Sequence, residues 1–363
     1  MTNKYFNKDS MSAFDAQYEA QKIAFAPIIF QAARVMRDQG LLELLYDHRK
    51  SGIDFEEIVQ LSHLSSYAIK VLLETGLSAQ IVYLAENKYF LSKVGFYLLK
   101  DEMTNINMDY NHYVNYEALF YLDKSIEEGK PVGLKKFGDW DTIYPGLTIL
   151  PEKVRDSWFK FDHYYSDSAY YDVLNILQKH DIKTILDIGG NTGKFSIYIA
   201  QHSNSICLTI VDLPEQTAVS LKNITDKGFN DRVGIHSANV MDENLQLPMD
   251  HDIIWMSQFL DCFNEMDIIS ILKKVSNSMT EHTELWIMEP LWDRQRHETS
   301  AYCIINTSPY FTCMANGQSK MFHSDDLILC IKKSGLEIVE IIDNLGICQS
   351  VIRCQIANGN LEK

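Results

Sequence analysis

No run of apolar residues in this chain reaches the roughly 18 that a membrane-spanning helix needs. Its start, Met1-Thr2-Asn3-Lys4-Tyr5, has no apolar stretch of the signal-peptide kind. These absences predict a cytoplasmic protein with no membrane partner. The first half has no cysteine. The seven present (Cys207, Cys262, Cys303, Cys313, Cys330, Cys348 and Cys354) are odd in number and include no CxxC pair, which argues against a disulfide or zinc framework and for reduced, mostly buried thiols. Basic residues are in short supply, 33 Lys and Arg against 49 Asp and Glu for a net charge of −16. The average field therefore repels a nucleic-acid backbone, and no basic patch compensates for it. Internal repeats and low-complexity tracts are absent too.

What is present is 363 residues with 46% hydrophobic content, enough for two domains. Residues 1–20 are polar and read as a flexible N-terminus. From 21 to 105, Ile23, Phe25, Ile28, Ile29, Ala32, Ala33, Val35, Leu41, Leu42 and Leu45 recur near helical spacing, interrupted at Gly40. Asp54 caps a second helix, with Glu57 at its third position. Ser65-Ser66 starts another through Ile69, Leu72, Leu73 and Leu77, and Ile81 to Leu91 reads as a hairpin. This is the winged-helix plan. The last helix carries one basic residue, Lys70, so the expected role is protein contact in a homodimer rather than DNA readout. Residues 106–175 are aromatic-rich and largely helical, a connector that also supplies a pocket wall.

From 176 to 363 the pattern alternates strand and helix, which predicts a parallel sheet covered on both faces. Strands are expected over 184–188, 208–211, 233–237, 253–256, 285–288 and 336–342, with helices near 193–202, 214–228, 264–279 and 324–334. The informative stretch is Thr184-Ile185-Leu186-Asp187-Ile188-Gly189-Gly190-Asn191-Thr192-Gly193: a buried strand runs into a glycine-rich turn that opens a helix, where a Cβ would collide with a ligand across the strand ends. Asp212 ends the next strand and can take both hydroxyls of a ribose. The dinucleotide spacing G-x-G-x-x-G is not met. A carboxylate at Asp187 would repel a pyrophosphate, yet it suits the cationic amino end of a methionine moiety.

With Asp212-Leu213-Pro214, the segment from Ser257 to Lys274 and Trp286-Ile287-Met288-Glu289-Pro290, the chain resembles the S-adenosylmethionine-dependent small-molecule O-methyltransferases of plant phenolic and bacterial polyketide pathways. The resemblance covers roughly residues 20 to 355 and implies an α/β architecture: a class I methyltransferase Rossmann-like domain preceded by an all-α, winged-helix dimerisation domain. It implies S-adenosyl-L-methionine as cofactor, no metal, and a small-molecule acceptor with a reacting hydroxyl. Cofactor contacts are carried over to Asp187, Gly189, Gly190, Gly193, Asp212, Leu213, Asn239, Val240, Met241 and Ser257. Asn191 stands where the family often has glycine, a swap that its tolerance of left-handed backbone permits.

The family's catalytic histidine is replaced by Asp261, and Glu289 matches the acid that steadies it. Two neighbouring carboxyls split their pKa values, leaving one protonated and one free as base; a plain helix cap is the competing reading of Asp261. His297 and His323 are alternative sources of an imidazole. The resemblance places Phe161, Tyr165, Tyr302, Phe311, Met314 and Asn316 against the acceptor. Two other functions stay open: a methyltransferase-like protein that binds ligand without turnover, and a winged-helix regulator.

Overall fold

The computed structural model describes residues 5–357, in two units: residues 6–112, and residues 113 onward together with Tyr5. In the first unit α1 (Ala13–Asp38) starts at a Ser12 cap, inside the stretch expected to be flexible, and ends before Gly40. That glycine has φ of 78° and opens α2 (Leu41–Asp47), so the interruption in the apolar pattern is a true helix break. The Asp54 carboxylate accepts from the Glu57 amide at 2.9 Å and starts α3 (Phe55–Leu61); Ser65 caps α4 (Ser66–Ser78) in the same way. Strands β1 (Val82–Ala85) and β2 (Lys88–Leu91) pair across Glu86 and Asn87, both at positive φ, the backbone a two-residue hairpin turn demands. Helices α5 (Lys93–Lys100) and α6 (Glu102–Tyr110) complete the unit. Met36, Leu42, Leu45, Ile58, Ile69 and Leu73 form its core, while Phe14, Ile23, Phe25 and Ile28 on α1 remain exposed.

The second unit begins earlier than a sheet-only domain would. Its first helices are α7 (Leu122–Glu128), α8 (Glu152–Asp167) and α9 (Tyr170–Leu177). The stretch around α7 is bonded to a π-helical turn far along the chain, Phe311–Ala315: Cys313 Sγ donates to the Ala118 carbonyl at 2.9 Å, and Ser125 Oγ donates to Cys313 Sγ. From Tyr113 onward the aromatic stretch belongs to this unit.

The sheet follows in β3 (Thr184–Ile188), α10 (Lys194–His202), β4 (Cys207–Asp212), α11 (Pro214–Lys227), β5 (Val233–Ser237), β6 (Ile253–Ser257), α12 (Glu265–Ser278), β7 (Glu284–Glu289), α13 (Glu298–Tyr310), α14 (Ser324–Lys333), β8 (Leu336–Leu345) and β9 (Gln349–Ile356). Its order is β5-β4-β3-β6-β7-β9-β8. The first five strands are parallel; β9 runs antiparallel between β7 and β8. Successive residues feed opposite layers, as a strand requires: Leu186, Ile188, Ile254, Met256 and Ile287 pack towards α12 and α14, whereas Ile185, Ile210, Trp255 and Trp286 pack towards α9, α10 and α11.

Two elements were not legible in the sequence. Strand β9 lies antiparallel in a sheet expected to be parallel, and α13 holds Pro309 and a Ser/Thr-rich face that blur its period. Among the described residues, no helix is long and apolar enough to cross a membrane.

Candidate active site

Chain order around the sheet reverses between β3 and β6, so a crevice is expected where β3, β4 and β6 end. Leaving β3, Gly189 adopts φ of 78°, and a Cβ there would lie 2.2 Å from the Phe259 ring. The glycine is thus needed by backbone conformation and by a protein ring, a reason nearer than the ligand collision expected. At Gly190 a Cβ would meet Asp187 Oδ2 at 2.9 Å; Gly193, φ 79°, opens α10. Asn191 takes φ of 49°, the left-handed backbone expected of it.

Asp212, at the end of β4, holds this turn. Its Oδ2 accepts from the Asn191 amide at 2.8 Å and its Oδ1 from the Leu213 amide at 2.7 Å. Burial raises its pKa and the two amide bonds oppose the rise. Each carboxylate oxygen has a second lone pair, so acceptor capacity remains for hydroxyl groups. Asp187 is 2% exposed, lies under Gly190 and accepts from Ser196 Oγ at 2.6 Å; burial raises it to about 7 against the effect of that bond. It braces the turn from beneath.

Beyond β5, Asn239 Oδ1 accepts from the Met241 amide at 2.9 Å; Val240 is buried and Met241 exposed. Lys274 of α12 donates to the Val240 and Asp242 carbonyls at 2.7 and 2.8 Å, a tether that sequence reading missed. Ser257 ends β6 half-buried, followed by Gln258 at φ of 45°.

The next turn carries the acids. Asp261 lies in a short 3-10 turn, Leu260–Cys262, and is 4% exposed. It is not a helix cap: Asn264 caps α12, accepting from the Asp267 amide at 2.9 Å. Cys262 Sγ donates to Asp261 Oδ1 at 3.5 Å, and burial pushes the pKa of Asp261 to about 6 against the effect of that contact. Glu289, 1% exposed at the end of β7, accepts through Oε1 from the Phe259 and Leu260 amides at 3.1 and 2.9 Å. Its Oε2 has no hydrogen-bond partner among the described residues, and burial, then the charge of Asp261, raises its pKa above the ordinary carboxylate value. The charge of Asp261 thus opposes ionisation of Glu289, and the two titrate as a pair.

The acceptor-side expectations divide. Trp158 Nε1 donates to the Tyr310 hydroxyl at 2.6 Å, joining α8 to α13, and the Phe161 and Tyr165 rings stand 4.9 Å apart on the same helix. Phe311 and Met314 are buried in the π-helical turn. Tyr302 is 62% exposed and does not join them. Asn316 is committed to structure: its Nδ2 donates to the Cys262 carbonyl at 2.6 Å and Ser319 Oγ at 2.8 Å, and its Oδ1 accepts from the Gln318 and Ser319 amides. It fixes the Asp261 turn instead of facing an acceptor. The two histidines cap helices: His297 precedes α13 and is exposed, and His323 Nδ1 accepts from the Asp325 amide at 3.1 Å. Asp162 was missed by sequence reading. Its side chain is 24% exposed, yet burial, then the charge of Asp261, raises it to about 7. Only its position beside Phe161 could have signalled it.

The chemistry of the residues present fits an S-adenosylmethionine donor. Asn191 Oδ1, in the glycine turn, and Gln216 Oε1, on α11, are buried acceptors without a partner among the described residues. The same helix borders that turn, since Asn223 Nδ2 donates to the Thr192 carbonyl at 2.9 Å and a Cβ on Gly193 would touch Ser220.

Sheet order, turn and strand-end acids together define a class I, Rossmann-like methyltransferase fold. The Dimerisation2-like domain family matches residues 17–89 and the O-methyltransferase domain family matches residues 159–326. The chain belongs to the S-adenosylmethionine-dependent small-molecule O-methyltransferases that join these two domains. Among its relatives are the L-tyrosine C(3)-methyltransferase of Streptomyces lavendulae, 23% identical over 71% of this chain and 70% of that one, and the bacteriochlorophyllide d C-20 methyltransferase of Chlorobaculum tepidum, 21% identical over 62% and 65%. The solved S-adenosylmethionine-dependent methyltransferase SibL shares the fold, with a TM-score of 0.71 at 18% identity over 94% of this chain and 99% of that one.

Proposed function

We propose that the chain methylates the hydroxyl of an aromatic small molecule, with Asp261 as the general base. The observation that carries this reading is a buried carboxyl, unpaired with any cation among the described residues and raised to about 6, on the turn whose Phe259 ring lies against Gly189. A base with a pKa near the working pH is unprotonated in use and still accepts a proton with useful driving force. Glu289, whose ionisation burial and the charge of Asp261 oppose, holds the Phe259–Leu260 backbone in place. Gly189, Gly190, Gly193, Asn191, Asp212, Leu213, Asn239, Val240, Met241 and Ser257 would hold the donor, with Asp187 bracing the turn. When bound, S-adenosylmethionine supplies a methyl group made electrophilic by its sulfonium. Asp261 removes the hydroxyl proton as the acceptor oxygen becomes the nucleophile, and the aromatic side chains of α8 and α13 orient the ring.

A second reading, methylation at carbon, draws on the activities of two relatives. The same base serves, because removing a phenol proton also enriches the adjacent ring carbon, whose own proton then leaves as the oxygen regains one. Mass spectrometry with isotopically labelled donor over a panel of phenols and catechols tests both. Transfer is expected, and fragmentation of the product locates the methyl. Donor binding with no transfer to any acceptor would leave a binding protein instead.

The homodimer expected from the first unit is also a proposal. It is supported by the domain family matched at 17–89 and by the exposed Phe14, Ile23, Phe25 and Ile28 of α1. Light scattering should give twice the 41.8 kDa chain mass.

A further inference from the structure

Two glutamines near the base make only half of the contact open to them. Gln349 opens β9 and is 0% exposed; its Nε2 donates to the Tyr165 carbonyl of α8 at 3.3 Å and to Gln258 Oε1 at 2.9 Å. A backbone carbonyl only accepts, so the contact with Tyr165 fixes which end of the Gln349 carboxamide is nitrogen. That nitrogen fixes Gln258 in turn, with its oxygen towards Gln349 and its NH2 group turned away. The Gln258 backbone is held as well: its amide donates to the Met288 carbonyl at 2.9 Å, and its φ is 45°. A residue other than glycine persists at such a φ only where its surroundings impose it, and such positions cluster at ligand sites.

Both glutamines lie at the end of the sheet where the crevice is. Gln258 follows β6, between Ser257 and the Phe259 that lies against Gly189, and stands three residues before Asp261. Gln349 comes to the same end because β9 runs antiparallel to β7, with Ser350 opposite Glu289. Two carboxamides that meet head to tail can bond twice, each N–H to the other's oxygen. Here the return bond is missing. Gln349 Oε1 is buried and has no partner among the described residues, and Nε2 of the half-buried Gln258 donates to none of them. A buried oxygen without a donor is costly. One kind of group satisfies both atoms at once, since a hydroxyl accepts and donates.

Resting on the reading of Asp261 as the base of an acceptor site, we propose that Gln258 and Gln349 are specificity-determining residues that receive a second, non-reacting hydroxyl of the acceptor. That hydroxyl accepts from Gln258 Nε2 and donates to Gln349 Oε1. A methyl ether or a deprotonated oxygen in its place can only accept and leaves Gln349 unmatched. An acceptor with no second hydroxyl leaves both amides unmatched, the kind of loss by which a polar site discriminates most strongly.

The test uses the full chain saturated with S-adenosylhomocysteine, the demethylated donor, and three isomeric pairs of probes that exchange a hydroxyl for a methyl of similar size: the dihydroxybenzenes and the cresols. Calorimetry on the wild type should show at least one dihydroxybenzene binding about tenfold or more tighter than its cresol, the scale of two neutral hydrogen bonds. Gln258→Leu and Gln349→Met each remove one of the two partners and should bring that ratio to about one. Affinity for S-adenosylhomocysteine should stay within about threefold in both, which separates acceptor selection from damage to the donor site. A purely structural clamp between β6, β9 and α8 would weaken dihydroxybenzene and cresol alike and leave their ratio in place. Wild-type ratios near one for all three pairs, the result if water alone closes the gap, would overturn the assignment, as would a ratio undiminished in either variant or no binding of any probe. Methyl transfer to cresols and dihydroxybenzenes bound with equal affinity would keep Asp261 as the base while removing the two glutamines from acceptor selection.

Discussion

The donor turn and the acceptor side of this site lie at the same end of the parallel strands but are held by opposite means. At the donor turn the work is done by backbone within one strand-turn-helix unit and its neighbour: Asp212 ties the Asn191 and Leu213 amides, Ser196 holds Asp187, and three glycines take positions that a side chain would strain or crowd. On the acceptor side it is done by side chains from distant elements, with Asp162 on α8, Asp261 after β6, Glu289 on β7 and Tyr310 on α13. A site built from local backbone tolerates few substitutions and is nearly the same for every acceptor. One built from separate side chains can be retuned one position at a time.

The sharpest way to break this contrast is at Gly189. Valine there meets a positive φ and a Phe259 ring 2.2 Å from its Cβ, so donor affinity of the folded variant, read by calorimetry, should fall by about a hundredfold or more. Unchanged affinity would mean that the turn is not rigid. Asp212→Ala should weaken the donor by about 1.5 to 3 kcal/mol if the carboxylate takes both ribose hydroxyls. An equal loss of affinity for a phenolic acceptor in the presence of saturating donor product would show the two sides to be one unit.

The smallest effect is on stability. Burial raises Asp187 and Asp162 to about 7 and Asp261 to about 6 from an ordinary 3.8. The folded chain therefore keeps protons that the unfolded chain has released, and stability falls as pH rises from about 4 to 7 before levelling. The ligand-free melting temperature should drop by a few degrees between pH 5 and pH 8. Both Asp187→Asn and Asp261→Asn should flatten that slope, one from each side of the site. A melting temperature that rises with pH over this window would contradict the assignment.

How far the sequence could be read follows the same division. The strand at 184–188 and the turn after it were legible because every signal lies within ten residues: apolar run, acid, glycines and helix start. The caps at Asp54 and Ser65 and the break at Gly40 were legible for the same local reason. Strand β9 was not, since its place between β7 and β8 is decided by tertiary pairing. Nor was Asp162, whose perturbed carboxyl depends on residues about a hundred positions away. Tyr302 and Asn316 show the converse limit: position in a family pattern does not tell whether a side chain faces outward or is bonded into a turn.

The central claim is that Asp261 accepts the acceptor's proton, and single-turnover kinetics of Asp261→Asn with a working phenol tests it most directly. The substitution keeps the size of the side chain and removes only the proton acceptor. The account predicts unchanged donor affinity, a melting temperature near neutral pH no lower than wild type, and a chemical step slower by about a hundredfold or more. It also predicts loss of the wild-type rise in rate through the region near pH 6. An Asp261→Asn variant that transfers methyl at the wild-type rate with the same pH profile would contradict it.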